Sequence, residues 1–404
     1  MPQRHLPVRP DLAKLKRQAK ELQRVMRADD PFVTPAQAQA ALAESYGVAS
    51  WPRLALACAV ADAIWKDDVE GLRSLLTRHP ELLHEDVRGT KSNWGPPLSY
   101  AANIGQTNVI EMLLEFGAND IQPAFERAVL QGEIDTARRL MRVGAEPLAG
   151  SVMGPCETLD IDGLTFLIEH GAPFTDATGD ALAPLALLLQ TYSRAPLGKH
   201  ACLEFVAKLG VALPDTPPMA FHRGRTDLLA AHLKRDPALL TRTFTHAEIF
   251  PPELGCSTDE SLALHGTPLD GTTLLHMSVD YDEIKTARWL LERGAPVDVR
   301  GSVDAAGFGG ATPLFGTVVS QAYRCGRDTD GGFAELLLDA GADPLARASL
   351  RKRLRFVEDE RMHEYLDVTP ITWGERFHDR AWVNNTALAR IRNEVDESSD
   401  ESNI

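Results

Sequence analysis

Histidine 276 sits in the run TTLLHMSVDYDE, with Asp280, Asp282 and Glu283 close behind it. An imidazole beside carboxylates is the raw material of acid–base catalysis or of a metal site. A second such set, His246, Glu248, Glu253, Cys256, Asp259 and His265, is spread over residues 241–270. Zinc accepts all of these side chains, but their spacing matches no compact His/Cys pattern, so no metal is expected there. GSVMGPC is not G-x-S-x-G, and GFGGATP lacks both the dinucleotide fingerprint and the lysine of a phosphate loop. HEY at 363–365 has no second histidine one helical turn later. Catalysis and a cofactor are therefore not expected.

A third set is built for contact. Tyr192 and Arg194 fall in QTYSRAPLGKH, and Tyr323, Arg324 and Arg327 in SQAYRCGRDTDGG; FHRGR adds His222, Arg223 and Arg225. Tyrosine and arginine often anchor interfaces, because each combines large area with a directional polar tip. The arginines would suit an acidic or phosphorylated partner. The competing reading is that they form local ion pairs on an acidic surface.

The balance of the chain narrows the partner. Its 404 residues are 44% hydrophobic and 25% charged, the composition of a folded chain with a large core. A net charge of −15 disfavours non-specific binding to nucleic acid or anionic membrane. A locally basic arm, with eight Lys/Arg against two acids in residues 1–28, precedes a helix-turn-helix-like stretch, AQAALAESYGVASWPRLALA. The second helix of that stretch would offer Arg53 and then mainly alanine and leucine, which suits a core rather than base edges. No stretch approaches the apolar length of a membrane span, and MPQRHLPVRPDL carries no apolar signal core. Five dispersed cysteines show no pairing pattern. A cytoplasmic monomer is expected.

The elements that must position these residues recur along the chain. Gly-Ala follows an apolar helix end at Gly117, Gly144 and Gly171, each 27 residues after the last, and again at Gly294 and Gly341. Upstream lie PPLSYAANIG, TTLLHMSVDYD and TPLFGTVVS. The order is turn, short helix, tight corner, second helix, glycine. Thr-Pro opens a helix well, and glycine suits the left-handed residue that closes one.

GPPLSYAANIGQTNVIEMLLEFGA and GTTLLHMSVDYDEIKTARWLLERGA resemble the ankyrin repeat, whose pattern runs G-x-T-P-L-H-x-A-A-x-x-G, then V-V-x-x-L-L, then G-A. The resemblance implies an all-α helix-turn-helix solenoid with short hairpin fingers over residues 60–391. It places insertions at 190–200, 241–270 and 320–332, the second projecting as a long finger. A terminal repeat is expected at 367–391. Residues 1–59 are expected to form a helical N-terminal cap, similar to the leader of bacterial ankyrin-repeat proteins; 392–404 are expected to be a disordered acidic tail. Ankyrin arrays bind proteins through finger tips and inner helices. The resemblance thus implies a non-enzymatic protein-interaction scaffold. Its exposed candidates would include Trp94, Tyr100, Asp270, Met277, Asp280, Tyr281, Phe308 and Phe315. The alternative is a small-ligand binder or enzyme, with a groove near His222, His276 and Tyr323 covered by 241–270. At the family's T-P-L-H histidine stands His276, whose expected role is to tie a helix start to neighbouring backbone; Asp282 replaces the corner glycine.

Overall fold

A computed structural model describes residues 6–89, 92–259, 270–354 and 359–401 of the chain. Two compact units make it up: Met1–Pro155 with Thr165–Pro173, and Cys156–Leu164 with Phe174–Ile404. Among the described residues the fold is helical apart from isolated bridges and one antiparallel hairpin, Ala348–Lys352 with His363–Val368.

In the first unit, helix starts follow from capping chemistry. Asp11 caps Leu12–Asp29 by accepting from Ala13 N–H at 2.7 Å. Thr34 closes a capping box with Gln37 at the head of Pro35–Ser45. Ser50 caps Trp51–Trp65. These three helices close over Leu6, Leu15, Ala19, Leu42, Tyr46, Leu54 and Cys58. The third helix then packs against Val69–Arg78 and against Pro97–Ala102. Its inner face buries Leu54, Val60, Ala61 and Ile64, and Arg53 is engaged by Glu81 and Glu85. That helix alternates buried with half-buried residues, which suits core packing more than base edges.

Two paired units follow: Pro97–Ala102 with Thr107–Glu115, and Ile121–Leu130 with Ile134–Arg142. Successive first helices pack on one another. Each corner holds a left-handed residue, Gly105 at φ +66° and Gly132 at φ +75°. The residue after it closes back on the first helix, Gln106 N–H to Ala101 O at 3.2 Å and Glu133 N–H to Ala128 O at 2.9 Å. Each second helix ends with the paired bonds of a Schellman turn, as in Ala118 N–H to Leu113 O and Gly117 N–H to Leu114 O. Only a few residues separate Glu115 from Ile121, so the finger there is a stub. Ser99 bridges to the next repeat, its N–H and hydroxyl both donating to Asp120 at 3.0 and 2.6 Å.

The second unit keeps this logic with longer connections. Its pairs are Ala183–Gln190 with Pro196–Lys208, Pro217–His222 with Thr226–Arg235, Leu274–Asp280 with Ile284–Leu291, Pro313–Val318 with Gly332–Asp339, and Pro370–Arg376 with Asn385–Glu401. A short helix, Gln321–Arg324, lies inside the fourth pair. Fingers here are longer and pair side by side, with bridges Val303 to Gly309 and Gly309 to Ser349.

Two expectations are corrected. Residues 241–259, the described part of the 241–270 insertion, do not project: they are anchored by buried Phe244, Ile249, Phe250, Leu254 and Cys256, and residues 260–269 lie outside the described residues. The side chain of Gln190 also holds it, accepting from Ser257 N–H at 2.8 Å and donating to Ser257 O at 3.2 Å. Residues 392–401 continue the last helix rather than starting a disordered tail. HEY lies in the His363–Val368 strand, where buried Tyr365 stacks edge-on with Trp373.

Leu113 and Leu290 sit at the buried face of second helices, at 0% and 1% exposure. Leu113→Ala or Leu290→Ala is expected to cost about 2–5 kcal/mol in urea unfolding, with the loss of amide protection concentrated in adjacent repeats. A cost below about 1 kcal/mol would show that these leucines do not carry the stacking.

Candidate functional site

The second unit contains a buried polar cluster built around one repeat corner. Helix Leu274–Asp280 ends at Tyr281, and Asp282 turns the corner at φ +60°. Aspartate tolerates that left-handed backbone better than a branched residue would. Asp280 is therefore held on the inner helix end, and Tyr281 (5% exposed) points its ring into the unit. Helix Ala183–Gln190 stops when Thr191 turns extended, and the following loop delivers Arg194 to the same place.

Arg194 is buried and fully engaged. Its guanidinium donates to Asp280 Oδ2 at 2.8 Å, to Asp280 O at 2.9 Å and to Thr191 O at 2.9 Å. Its Cζ lies 4.4 Å from the Tyr281 ring centre, and Lys199 Nζ lies 4.1 Å from the same centre. Lys199 Nζ donates to Leu189 O at 3.0 Å. Burial holds the Lys199 ammonium well below the ordinary lysine range; Arg194 pushes the same way, against partial opposition from Glu283, Cys256 and Asp280. Glu283 is itself in contact with the His200 imidazole. Burial also pushes the Tyr281 hydroxyl up.

His222 completes the cluster, 5.3 Å edge-on to Tyr281. Its Nε2–H donates to Ile249 O at 3.0 Å, which leaves Nδ1 as a bare acceptor, buried without a partner. Burial, aided by Lys199, pushes this imidazole well down, so it is neutral. Together Lys199, His222, Tyr281, Glu283, Phe221 and Pro196 line a narrow cleft with room for about one water molecule.

The contact residues divide sharply by environment. Tyr192 is 44% exposed, Tyr323 half-buried and Arg324 exposed. The two inter-helix insertions meet here, because Gln321 Nε2 donates to Tyr192 O at 2.9 Å and Cys325 Sγ to the same oxygen at 3.4 Å. The other arginines form local ion pairs: Arg223 with Glu204 at 2.6 Å, Arg225 with Asp227 at 2.6 Å and Arg327 with Asp282 at 2.9 Å.

Several expected contact residues are instead packing residues. Tyr100 is fully buried, accepting from Trp65 Nε1 at 2.7 Å and donating to Val8 O. Tyr281, Met277, Asp280 and Phe315 are buried too, since the stacked face of each first helix is closed by its neighbour. Trp94 is half-buried beneath Arg88 and Arg127, at 5.3 and 5.8 Å. Phe308 is half-buried under Arg351. Exposed Asp270 accepts from His246 N–H at 2.7 Å.

His276 has both nitrogens engaged. Nδ1 accepts from Thr273 N–H at 3.4 Å and lies 2.9 Å from the Thr273 hydroxyl, so Nε2 carries the proton it gives to Ala311 O at 2.9 Å. It ties its own helix start to the next repeat. Of His222, His276 and Tyr323, only His222 lines the cleft. Among the described residues no three His, Cys, Asp or Glu side chains are placed to hold a metal. His246 Nε2 bonds Ser257 O, Glu248 caps its own helix and pairs with Arg242, and burial pushes the Cys256 thiol up to about 12. His265 lies outside the described residues.

Comparison with known proteins places this geometry in a class. Residues 270–302 match the family model for the ankyrin repeat. The helix pair that carries His276, the Asp282 corner and Gly294 thus matches an ankyrin repeat, within a fold that is mostly helical and built of repeated helix pairs. A solved structure, the human ASB11 ankyrin repeat domain, is similar at 17% identity; the match covers 73% of this chain and 97% of that one, with a TM-score of 0.23. No curated protein matches in sequence. No helix among the described residues is long and apolar enough to cross a membrane.

Two outcomes test this assignment of roles. Removing Arg194 strands the Asp280 carboxylate in the interior, so Arg194→Ala is expected to cost about 3–5 kcal/mol in urea unfolding. An Arg194→Met/Asp280→Leu double variant is expected to recover most of that loss. Burial also lowers the His276 imidazole from 6.5 to about 4. Between those values the unfolded chain binds a proton that the folded chain refuses, so stability falls as pH drops from 6.5 towards 4. His276 alone should contribute about 2 kcal/mol of the loss between pH 7 and pH 5, at about 1.4 kcal/mol per pH unit. In His276→Asn the gap between urea midpoints at those two pH values should narrow, leaving the share owed to His222. An unchanged gap would mean that His276 is not held neutral.

Proposed function

We propose that this chain is a non-enzymatic protein-interaction scaffold that takes its partner where its two inter-helix insertions meet. The observation that carries the reading is the bond from Gln321 to the Tyr192 carbonyl, with Cys325 beside it. It brings Tyr192 and the Tyr323–Arg324 turn, 129 residues apart at that bond, onto one patch. Arg223, Arg225 and Arg327 are neutralised by their own carboxylates, whereas Arg324 stands exposed. A guanidinium beside tyrosine edges suits a short segment bearing carboxylates or a phosphate group. The ankyrin repeat at 270–302 supports the same role, since such repeats generally bind proteins. We read the chain as a cytoplasmic monomer; its five cysteines are unpaired, consistent with a reducing compartment.

Peptide display against the full chain tests the patch. Acid-rich or phosphorylated peptides should be enriched, and a Tyr192→Ala/Arg324→Ala variant should bind them at least about tenfold more weakly, or about 1.4 kcal/mol. Its melting temperature should be unchanged, because both side chains project outward. If the variant binds the same peptides equally well, the partner does not dock here.

A further inference from the structure

The hairpin of Ala348–Lys352 and His363–Val368 meets the end of helix Pro370–Arg376 through two stacked histidines. The imidazoles of His363 and His378 lie face to face, with ring centres 3.8 Å apart and planes within 7° of parallel. His363 Nε2 donates to Asp359 Oδ2 at 3.1 Å. On the other ring, the Tyr365 hydroxyl accepts the His378 backbone N–H at 3.1 Å and lies 2.7 Å from Nδ1. When that hydroxyl donates to Nδ1, the ring proton sits on Nε2, an atom buried without a partner. Behind the stack, Tyr365 packs edge-on to Trp373 at 4.7 Å and against Phe377 at 5.9 Å. One aromatic cluster thus fastens strand to helix, and two titratable rings form its rim.

These surroundings accept one extra proton and resist a second. An imidazolium at His363 faces the Asp359 carboxylate, so a first proton has a place. On His378 a second proton enters at Nδ1, donor against the Tyr365 O–H, and sets two like charges 3.8 Å apart. The other charges around the pair offer little relief. Lys352 stands opposite His363 across the strands, and Arg361 already engages Asp359 at 2.8 Å. Arg376 acts on the Tyr365 hydroxyl, and Asp379 is turned to the next turn, accepting from Ala381 N–H at 3.0 Å. Burial first, then His363 and Lys352, hold the His378 imidazole below the ordinary histidine range, against opposition from Asp359 and Asp379.

We propose that this stack is an acid-released clasp. With at most one proton it holds the hairpin on the helix end; a second proton drives the rings apart and frees the hairpin. Release uncovers Tyr365 and the faces of Trp373 and Phe377 beneath it, a surface suited to an apolar partner segment. Because His378 binds its proton less tightly in the closed clasp than in the open one, closure is at full strength above pH 6.5 and weakens as pH falls below it.

Two readings of the folded full chain test the clasp: an NMR titration of the histidine ring protons, and hydrogen exchange at the hairpin amides. His363→Phe keeps a ring in the stack and removes its charge. In that variant the His378 midpoint should rise by at least about one pH unit, a tenfold gain in proton affinity. Corrected for the intrinsic rate, exchange across 348–352 and 363–368 should quicken at least about fivefold from pH 7 to pH 5 in the wild type. In His363→Phe, and in His378→Phe as a second variant, circular dichroism should report a folded chain and the quickening should fall below about twofold. A His378 midpoint that does not move in His363→Phe would overturn the proposal. Equal hairpin protection at pH 7 and pH 5 in the wild type would overturn it too, as would a quickening that persists in both folded variants.

Discussion

A helix of six to ten residues is too short to hold itself together in water. Nearly every helix of the repeats here is that short, so each exists only because a neighbour covers its apolar face. This sets strict demands on the corners. The chain must reverse within a residue or two without leaving backbone groups unpaired, and a left-handed residue meets that demand. Gly105, Gly132, Gly224 and Asp282 all occupy it, at φ between +60° and +75°. The closing bond to the first helix, such as Glu283 N–H to Ser278 O at 2.8 Å, then fixes where the second helix starts. Stacking places the last residues of each first helix in a nearly dry setting. The buried polar chemistry of the molecule gathers there.

At the same register, two residues before the corner, stand Asn103, His222 and Asp280. All three are buried and polar, and each finds a different solution. Asn103 accepts from Arg127 at 2.8 Å, His222 donates to a backbone carbonyl, and Asp280 takes a whole guanidinium. The Asp280 solution is the most demanding, because two opposite charges out of water repay their desolvation only when hydrogen-bonded on all sides. Arg194 meets that condition through backbone carbonyls as well as the carboxylate. Lys199 does not: its hydrogen bond goes to the Leu189 carbonyl, and it shares the Tyr281 ring with Arg194.

What the sequence discloses is local. The 27-residue spacing of Gly117, Gly144 and Gly171 marks helix ends whose φ values are +91°, +113° and +92°. Thr34 and Ser50 mark helix starts, and His276 reads as scaffolding because its partners lie in its own turn and at the next repeat start. Environment set by distant chain is not legible in this way. Tyr100 and Tyr192 are the same residue type, yet one is sealed under Trp65 and Val8 while the other is 44% exposed. Arg194 looks like Arg324 in sequence, but its carboxylate lies 86 residues away. The Ala348–Lys352 and His363–Val368 hairpin gave no clean signal, because HEYLDV does not alternate: buried Tyr365 and Val368 stand three apart and Leu366 is exposed.

The insertions follow from the same physics. A repeat tolerates extra residues only between its helices or between neighbouring repeats, where no stacking face is broken. Residues 191–195 and 320–331 use the first place, and residues 241–259 the second. Each then had to bury its own apolar atoms and satisfy its own backbone. They do this against one another: Gln321 reaches Tyr192, Gln190 reaches Ser257, and Ile249 receives the His222 proton. These additions and the Asp282 corner converge on Tyr281, which a regular repeat would leave as a plain packing residue. Departure from the repeat is therefore concentrated at one place in this unit, and that place holds both the exposed Tyr/Arg patch and the Lys199 cleft.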